Sequence, residues 1–346
     1  MYVLKLAGIK ALRGLIGLIR VLSATFSSAP PAPKPSRTIT LPWSKRGSQG
    51  SKIRFDVWIP SSSPSSNDTR GKWPIIVNLH GSGFCIPGHG TDARFLRFVA
   101  DKVGAVVLDV DYRHAPEDPY PAALDDVHAF VQWIRSGGYL QTSILEKQQD
   151  GQPSLETSRW DRTRLALTGF SSGGNLVLTA CVRLHATGGP SQLPQAVVAF
   201  YPSTNVAESP YAKPKVKPKP TKPGKEGKPA GGVIPPVVRQ LFYASYLPPH
   251  VSRKDPQVSP LYADPAAFPA STTLITCEGD SLAREGEQMY EHLIGGPNKG
   301  AVHLQVPGQG HGWDHMVKPG THAEELRQES YELAARRIRE AFASST

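Results

Sequence analysis

Residues 165–180 read LALTGFSSGGNLVLTA. An apolar run of strand type ends in Gly169-Phe170-Ser171-Ser172-Gly173, a G-x-S-x-G pattern, and an apolar run of helical type follows. A strand-to-helix reversal this sharp strains its apex residue and needs glycine two before and two after, where side chains would collide. The apex is Ser171, whose hydroxyl would stand at the carboxyl edge of a sheet, beside a helix N-terminus that favours developing negative charge. That is the setting of a nucleophile. Ser172 then has a different task, because its backbone N–H can point at the oxyanion that attack produces. The competing reading is a small-residue turn that only packs a helix on a strand.

A serine attacks an acyl carbon only if a base takes its proton and a third group orients the base. CEGDSLAREGEQMY places Asp280 just after an apolar strand, and VPGQGHGWDH places His311 between two glycines. Ser171, Asp280, His311 is the chain order expected when this turn is used in an α/β sheet. His315 is the alternative base and Glu278 the alternative acid; Asp280 also reads as an N-cap for SLAREGE, and both roles are compatible. Upstream, VNLHGSGF (77–84) ends a strand in a glycine-rich loop. Its unobstructed N–H groups put Ser82 and Gly83 beside Ser172 as oxyanion-hole donors, with His80 anchoring the loop through its ring.

These residues need a frame. KIRFDVWIP (52–60) alternates, with Ile53, Phe55, Val57 and Ile59 on one face, and predicts a half-exposed strand. PIIVNLH, AVVLDVDY, RLALTGF, QAVVAFYP and TTLITCEGD are short, β-branched and nearly continuously apolar, as strands buried on both faces of a parallel sheet are. Helical patterns separate them, so the expected fold is a doubly wound α/β domain. The rhythm breaks between Pro202 and Asp255. That insertion opens with a Lys/Pro tract unable to form helix or central strand, expected to be a solvated loop or else an electrostatic tether to acidic membranes or a partner, and continues into PPVVRQLFYASYL, apolar enough for a packed helix. An insertion of this length after a strand usually lies over the ligand edge.

The net charge of +10 over 346 residues does not mark a nucleic-acid binder, because of where it lies. Residues 1–37 hold six basic and no acidic residues, and 213–228 hold seven Lys against Glu226; together they carry +12, leaving the rest at −2. Residues 1–22 form an amphipathic pattern, with Lys5, Lys10, Arg13 and Arg20 within an arc of roughly 140°. Arg13 and Arg20 interrupt it too often for a membrane span or a secretory signal. It reads as a helix packed on the body, or as an interfacial membrane helix or targeting segment. Cys85, Cys181 and Cys277 show no paired spacing, which fits a reducing, cytoplasmic setting, and the histidines lack metal-ligand spacing. Asn67-Asp68-Thr69 is a formal sequon read here as a loop. The organisation expected is an amphipathic helix (1–26), a Pro-rich linker (27–37), and one domain (38–346) interrupted at about 203–254, with the Lys/Pro loop at 213–229.

HGSGF, DYRHAPEDPYPAALDD, GFSSGGN, DPQVSPL, EGDSLAREGE and GHGW, in this order over residues 74–315, resemble the hormone-sensitive-lipase-like group of α/β-hydrolases. The resemblance implies a mostly parallel sheet flanked by helices and a helical cap built from the N-terminal segment and the insertion. It implies a cofactor-independent carboxylic-ester hydrolase without a metal, acting on small short-acyl esters through Ser171, Asp280 and His311. It also makes Arg113, Glu117 and Asp126 structural. An acyltransferase or lactonase using the same three residues, and a ligand-binding receptor without turnover, are the other functions open to this fold. Three departures stand out: Ser82 replaces the middle glycine of HGGGF, Phe170 and Ser172 replace Asp and Ala of GDSAGG, and the insertion carries the Lys/Pro tract.

Overall fold

The computed structural model describes residues 6–17, 31–43, 52–63, 71–141, 155–218 and 230–344. Eight strands form one sheet: β1 (Arg37–Pro42), β2 (Lys52–Trp58), β3 (Trp73–Leu79), β4 (Val106–Asp111), β5 (Trp160–Phe170), β6 (Ala196–Phe200), β7 (Ser271–Cys277) and β8 (Val302–Val306). Their order is β1-β2-β4-β3-β5-β6-β7-β8, antiparallel at β1/β2 and β2/β4 and parallel elsewhere. The continuous apolar runs are strands with two buried faces. In β3, Ile75, Val77 and Leu79 enter one core and Ile76 the other; in β6, Val197 and Ala199 oppose Ala196, Val198 and Phe200. This is the period of two written into a doubly covered sheet.

Helices α2 (Ala93–Val103) and α7 (His322–Ala343) cover one face, while α3 (Ala122–Arg135), α4 (Ser172–Gly188) and α6 (Ala283–Gly295) cover the other. Two expectations need correction. The linker does not extend to residue 37: Arg37 opens β1, opposite Val57, and is itself buried. β2 is half-exposed only at its start: Lys52 and Arg54 on its second face are exposed, whereas Asp56 and Trp58 farther along are buried.

The segment 6–17 is a helix, α1, and α5 (Pro236–Tyr246) is the helix expected in the insertion. Gly8 of α1 faces Leu241 of α5, and Ile9 is fully buried. Arg13 fastens α1 to the body: Nε donates to the Cys85 carbonyl (2.8 Å), Nη2 to that of Ala115 (2.9 Å), and both Nη groups to Glu117. Thus Glu117 secures the N-terminal helix, while Arg113 and Asp126 brace the turn, Nε to Oδ2 at 3.0 Å. Lys10 and Leu15 face outward, the side a membrane contact through residues 1–22 would use. Among the described residues no helix is long and apolar enough to cross a membrane. Asn67 and the remainder of 1–22 lie outside the described residues.

The Lys/Pro tract is solvated only in part where it is described: Lys215 and Lys217 are exposed, and Lys213 is not. Lys213 is buried, pairs with Glu285, and donates to the Asn205 carbonyl at 3.0 Å. Pro218 packs against Gly279 and Gly310. Burial lowers the Lys213 pKa to about 7, with the Glu208 carboxylate pulling the other way, so its partners offset a desolvation cost that composition alone could not foresee.

Candidate active site

The turn between β5 and α4 has Ser171 at φ 53°, ψ −114°, a conformation that costs a non-glycine residue energy. The neighbours hold it there: the Ser171 N–H donates to the Phe200 carbonyl (2.8 Å), and its carbonyl accepts from Asn175 N–H (3.0 Å). Both motif glycines are required by backbone contact. A Cβ on Gly169 would lie 2.5 Å from the Gly173 carbonyl carbon, and one on Gly173 would lie 2.6 Å from the His80 carbonyl oxygen and overlap that of Leu79. Phe170, where the related motif has Asp, stacks on Phe200 with centroids 4.4 Å apart and belongs to the core.

Ser171 Oγ stands 2.8 Å from His311 Nε2, and His311 Nδ1 stands 2.6 Å from Asp280 Oδ2. A carboxylate only accepts, so Nδ1 carries the ring proton and Nε2 offers its lone pair to the Ser171 hydroxyl. Asp280 is 2% exposed, and its other oxygen accepts the Leu282 N–H at 3.1 Å in the turn before α6; the N-cap position of that helix is Leu282, which makes no side-chain cap bond, so Asp280 is not its cap. His315 does not serve as the base: its Nε2 lies 3.3 Å from Tyr201 Oη and 3.5 Å from Asp92. Glu278 accepts from Gly308 N–H (2.8 Å) instead of meeting the histidine.

Two contacts around His311 escaped the sequence. Tyr201, at φ 36° just after β6, sets its ring edge-on to the imidazole at 4.9 Å, and its hydroxyl donates to Asp314 at 2.6 Å. The only sequence signal is a Tyr-Pro pair at a strand end. The insertion also returns to the histidine loop, where His311 N–H donates to the Gly232 carbonyl (2.7 Å) and Gly310 N–H to that of Ala230 (3.0 Å). A Cβ on Gly310 would sit 2.7 Å from the Gly232 oxygen, which explains the first glycine of GHG.

The oxyanion loop differs in one respect from expectation. Ser172 begins α4, so its N–H has no intrahelical partner. Gly83 (φ 54°) lies beneath the Phe242 ring of α5; a Cβ there would reach within 2.5 Å of it. The Ser82 N–H, however, donates to Ser172 Oγ at 2.9 Å and is not left open. His80 is fully buried, and its ring stacks on Tyr112 (4.6 Å) and His114 (5.3 Å).

Among the described residues, two groups have the ligand types and proximity to hold a metal ion, which linear spacing concealed: His80 with Asp111 and His114, and Asp56 with His89 and Asp109. In the second, protein donors already occupy the outer oxygens, Thr38 on Asp56 (2.5 Å) and Asn78 on Asp109 (2.8 Å). All three cysteines are free and buried; burial raises the Cys85 thiol to about 12, so it does not compete as nucleophile.

Comparison with known proteins places this geometry. A family model described as the alpha/beta hydrolase fold matches residues 76–315. Hydrolase 3 of Catharanthus roseus is 33% identical over 135 residues, 38% of this chain and 41% of that protein. Carboxylesterase NlhH of Mycobacterium tuberculosis is 33% identical over 135 residues, 39% of this chain and 36% of that one. Hormone-sensitive lipase of Bos taurus is 31% identical over 130 residues, 38% of this chain and 15% of the lipase. The chain therefore spans less than half the length of each of these relatives. An esterase from Pyrobaculum calidifontis has the same fold, with TM-score 0.70, 23% identity, and coverage of 96% of this chain and 92% of that one. Over more than half its length this chain belongs to the α/β-hydrolase fold family, and over 130 residues it is similar to hormone-sensitive lipase.

Proposed function

We propose that the protein is a serine carboxylic-ester hydrolase acting on small, short-acyl esters. The observation that carries this reading is the hydrogen-bonded series from Ser171 Oγ through His311 to the buried Asp280 carboxylate. Ser171 attacks the ester carbonyl while His311 Nε2 takes its proton; Asp280 fixes the ring and steadies the imidazolium. Backbone donors at Gly83 and Ser172 receive the oxyanion. His311 then protonates the leaving alcohol, and water, deprotonated by the same histidine, releases the acid and restores Ser171. The similarity to carboxylesterase NlhH supports the reaction class.

The test is hydrolysis of 4-nitrophenyl esters of increasing acyl length by the wild type and by Ser171→Ala. Turnover of the short esters that falls at least a thousand-fold in the variant is expected, since nucleophile and base act as a unit. A variant retaining half the rate overturns the assignment. Adding alcohols to the same assay separates hydrolysis from acyl transfer: product ester in place of free acid would mark a transferase.

A further inference from the structure

Ser82 and Ser172, two of the departures from the related motifs, are ninety residues apart in sequence and touch in space. Around them runs a closed set of hydrogen bonds whose directions can be worked out. Tyr112 Oη lies 2.7 Å from the His80 carbonyl, which only accepts, so the phenol proton goes there. Ser82 Oγ, 2.8 Å from Tyr112 Oη, therefore donates to it. Ser82 Oγ in turn accepts from the Ser172 hydroxyl at 3.1 Å, and Ser172 Oγ accepts the Ser82 N–H at 2.9 Å. Every proton has one destination. Ser82, Ser172 and Tyr112 are 7%, 2% and 1% exposed, so water offers no competing partner. Burial also holds the Tyr112 phenol far above its ordinary pKa, which keeps it a donor.

We propose that Ser172 is a positioning residue for the oxyanion hole: its hydroxyl latches the Ser82 N–H away from the reacting oxygen, leaving the Gly83 and Ser172 N–H groups as the donors at rest. A backbone N–H makes one strong bond, and this one is already made inside the protein. To meet an oxyanion the Ser82 amide must leave Ser172 Oγ, which would then be a buried acceptor with one partner fewer. An alanine at 172 has no acceptor, and the Ser82 N–H is then free to turn toward the oxyanion. The hydroxyl pair thus exchanges transition-state stabilisation for a loop locked to Tyr112 and His80. The inference rests on ester hydrolysis at Ser171.

The consequence is a gain of rate from removing a polar group beside the nucleophile. Steady-state hydrolysis of 4-nitrophenyl acetate is compared for the wild type, Ser172→Ala, Ser82→Gly and the double variant. Loss of one such donor costs on the order of 10²–10³ in kcat in other enzymes, which bounds the effect. Ser172→Ala is expected to raise kcat about ten-fold with KM within two-fold, while Ser82→Gly, which leaves the Ser172 acceptor in place, gives no such rise. A trifluoromethyl ketone adds to Ser171 and carries the oxyanion, so its inhibition should tighten by the same factor as kcat. That split is one that a merely structural role of Ser172 would not produce. If Ser172→Ala is unchanged or slower, with melting like the wild type, the latch is refuted. If Ser172→Ala alone does not fold, the double variant, which restores the residues of the related motifs, carries the same expectation. A wild type whose activity survives Ser171→Ala overturns the underlying reading instead.

Discussion

Asp280→Asn tests the direction of proton flow without changing the shape of the site. The asparagine must keep its oxygen toward the Leu282 N–H, now 3.1 Å from Asp280 Oδ1, because the flipped amide would set donor against donor. Its amide nitrogen then occupies the place of Oδ2, which lies 2.6 Å from His311 Nδ1. Two donors cannot share that contact, so the imidazole moves its proton to Nε2 and turns its lone pair to Nδ1. Across 2.8 Å, Ser171 Oγ now faces an N–H and no base. A wrong-tautomer site of this kind loses about 10⁴ in kcat, or about 5.4 kcal/mol of transition-state stabilisation. Folding should change far less, by about 1.5–3 kcal/mol for one charge-assisted bond. The assay is steady-state hydrolysis of 4-nitrophenyl acetate near pH 8, with melting followed by circular dichroism. Activity within ten-fold of the wild type in a folded variant would refute the assignment of the ring protons and the role of Asp280.

Gly173→Ala should fail structurally, since its Cβ falls among the Leu79 and His80 carbonyl oxygens, both backbone; a loss of more than about 3 kcal/mol or no folded protein is expected in urea titration. Arg13→Ala removes the bonds that hold α1 on the Cys85 and Ala115 carbonyls, and should lower stability by about 1–3 kcal/mol in the same measurement. Burial pushes the Asp92 carboxyl up to about 7 against the pull of His315, with Asp109 adding to the rise. The native state therefore keeps a proton that the unfolded chain releases near pH ~4, and this contribution to stability declines as pH rises from there through 7. Asp92→Asn cannot ionise and should flatten the stability profile in that window; a profile as steep as that of the wild type would contradict the assignment.

Much of the site was legible because its parts are local. G-x-S-x-G between two apolar runs predicts a strained turn, and Gly169 and Gly173 are glycine because backbone atoms fill the space of a side chain. Continuous β-branched runs predict strands covered on both faces, and the order Ser171, Asp280, His311 predicts which histidine arrives. Other features were illegible because they join distant segments. Glu117 reads as part of a proline-rich turn, yet its partner is Arg13, 104 residues away. Lys213 reads as one cation of a solvated tract, yet it meets the buried Glu285. Nothing in residues 230–232 announces that their carbonyls would hold the loop of His311.

The amino-acid sequence alone determined the class of fold, the strained turn at Ser171 and which aspartate and histidine come together with that serine, because period, glycine placement and chain order act over short distances or follow the path of a sheet. Tertiary structure alone decided the contacts between side chains far apart in the chain: the docking of α1, the edge of Tyr201 on His311, and the hydroxyl of Ser172 on the amide of Ser82. Hydrogen bonds have direction and reach only about 3 Å, so which donor meets which acceptor is settled only when the segments carrying them are packed.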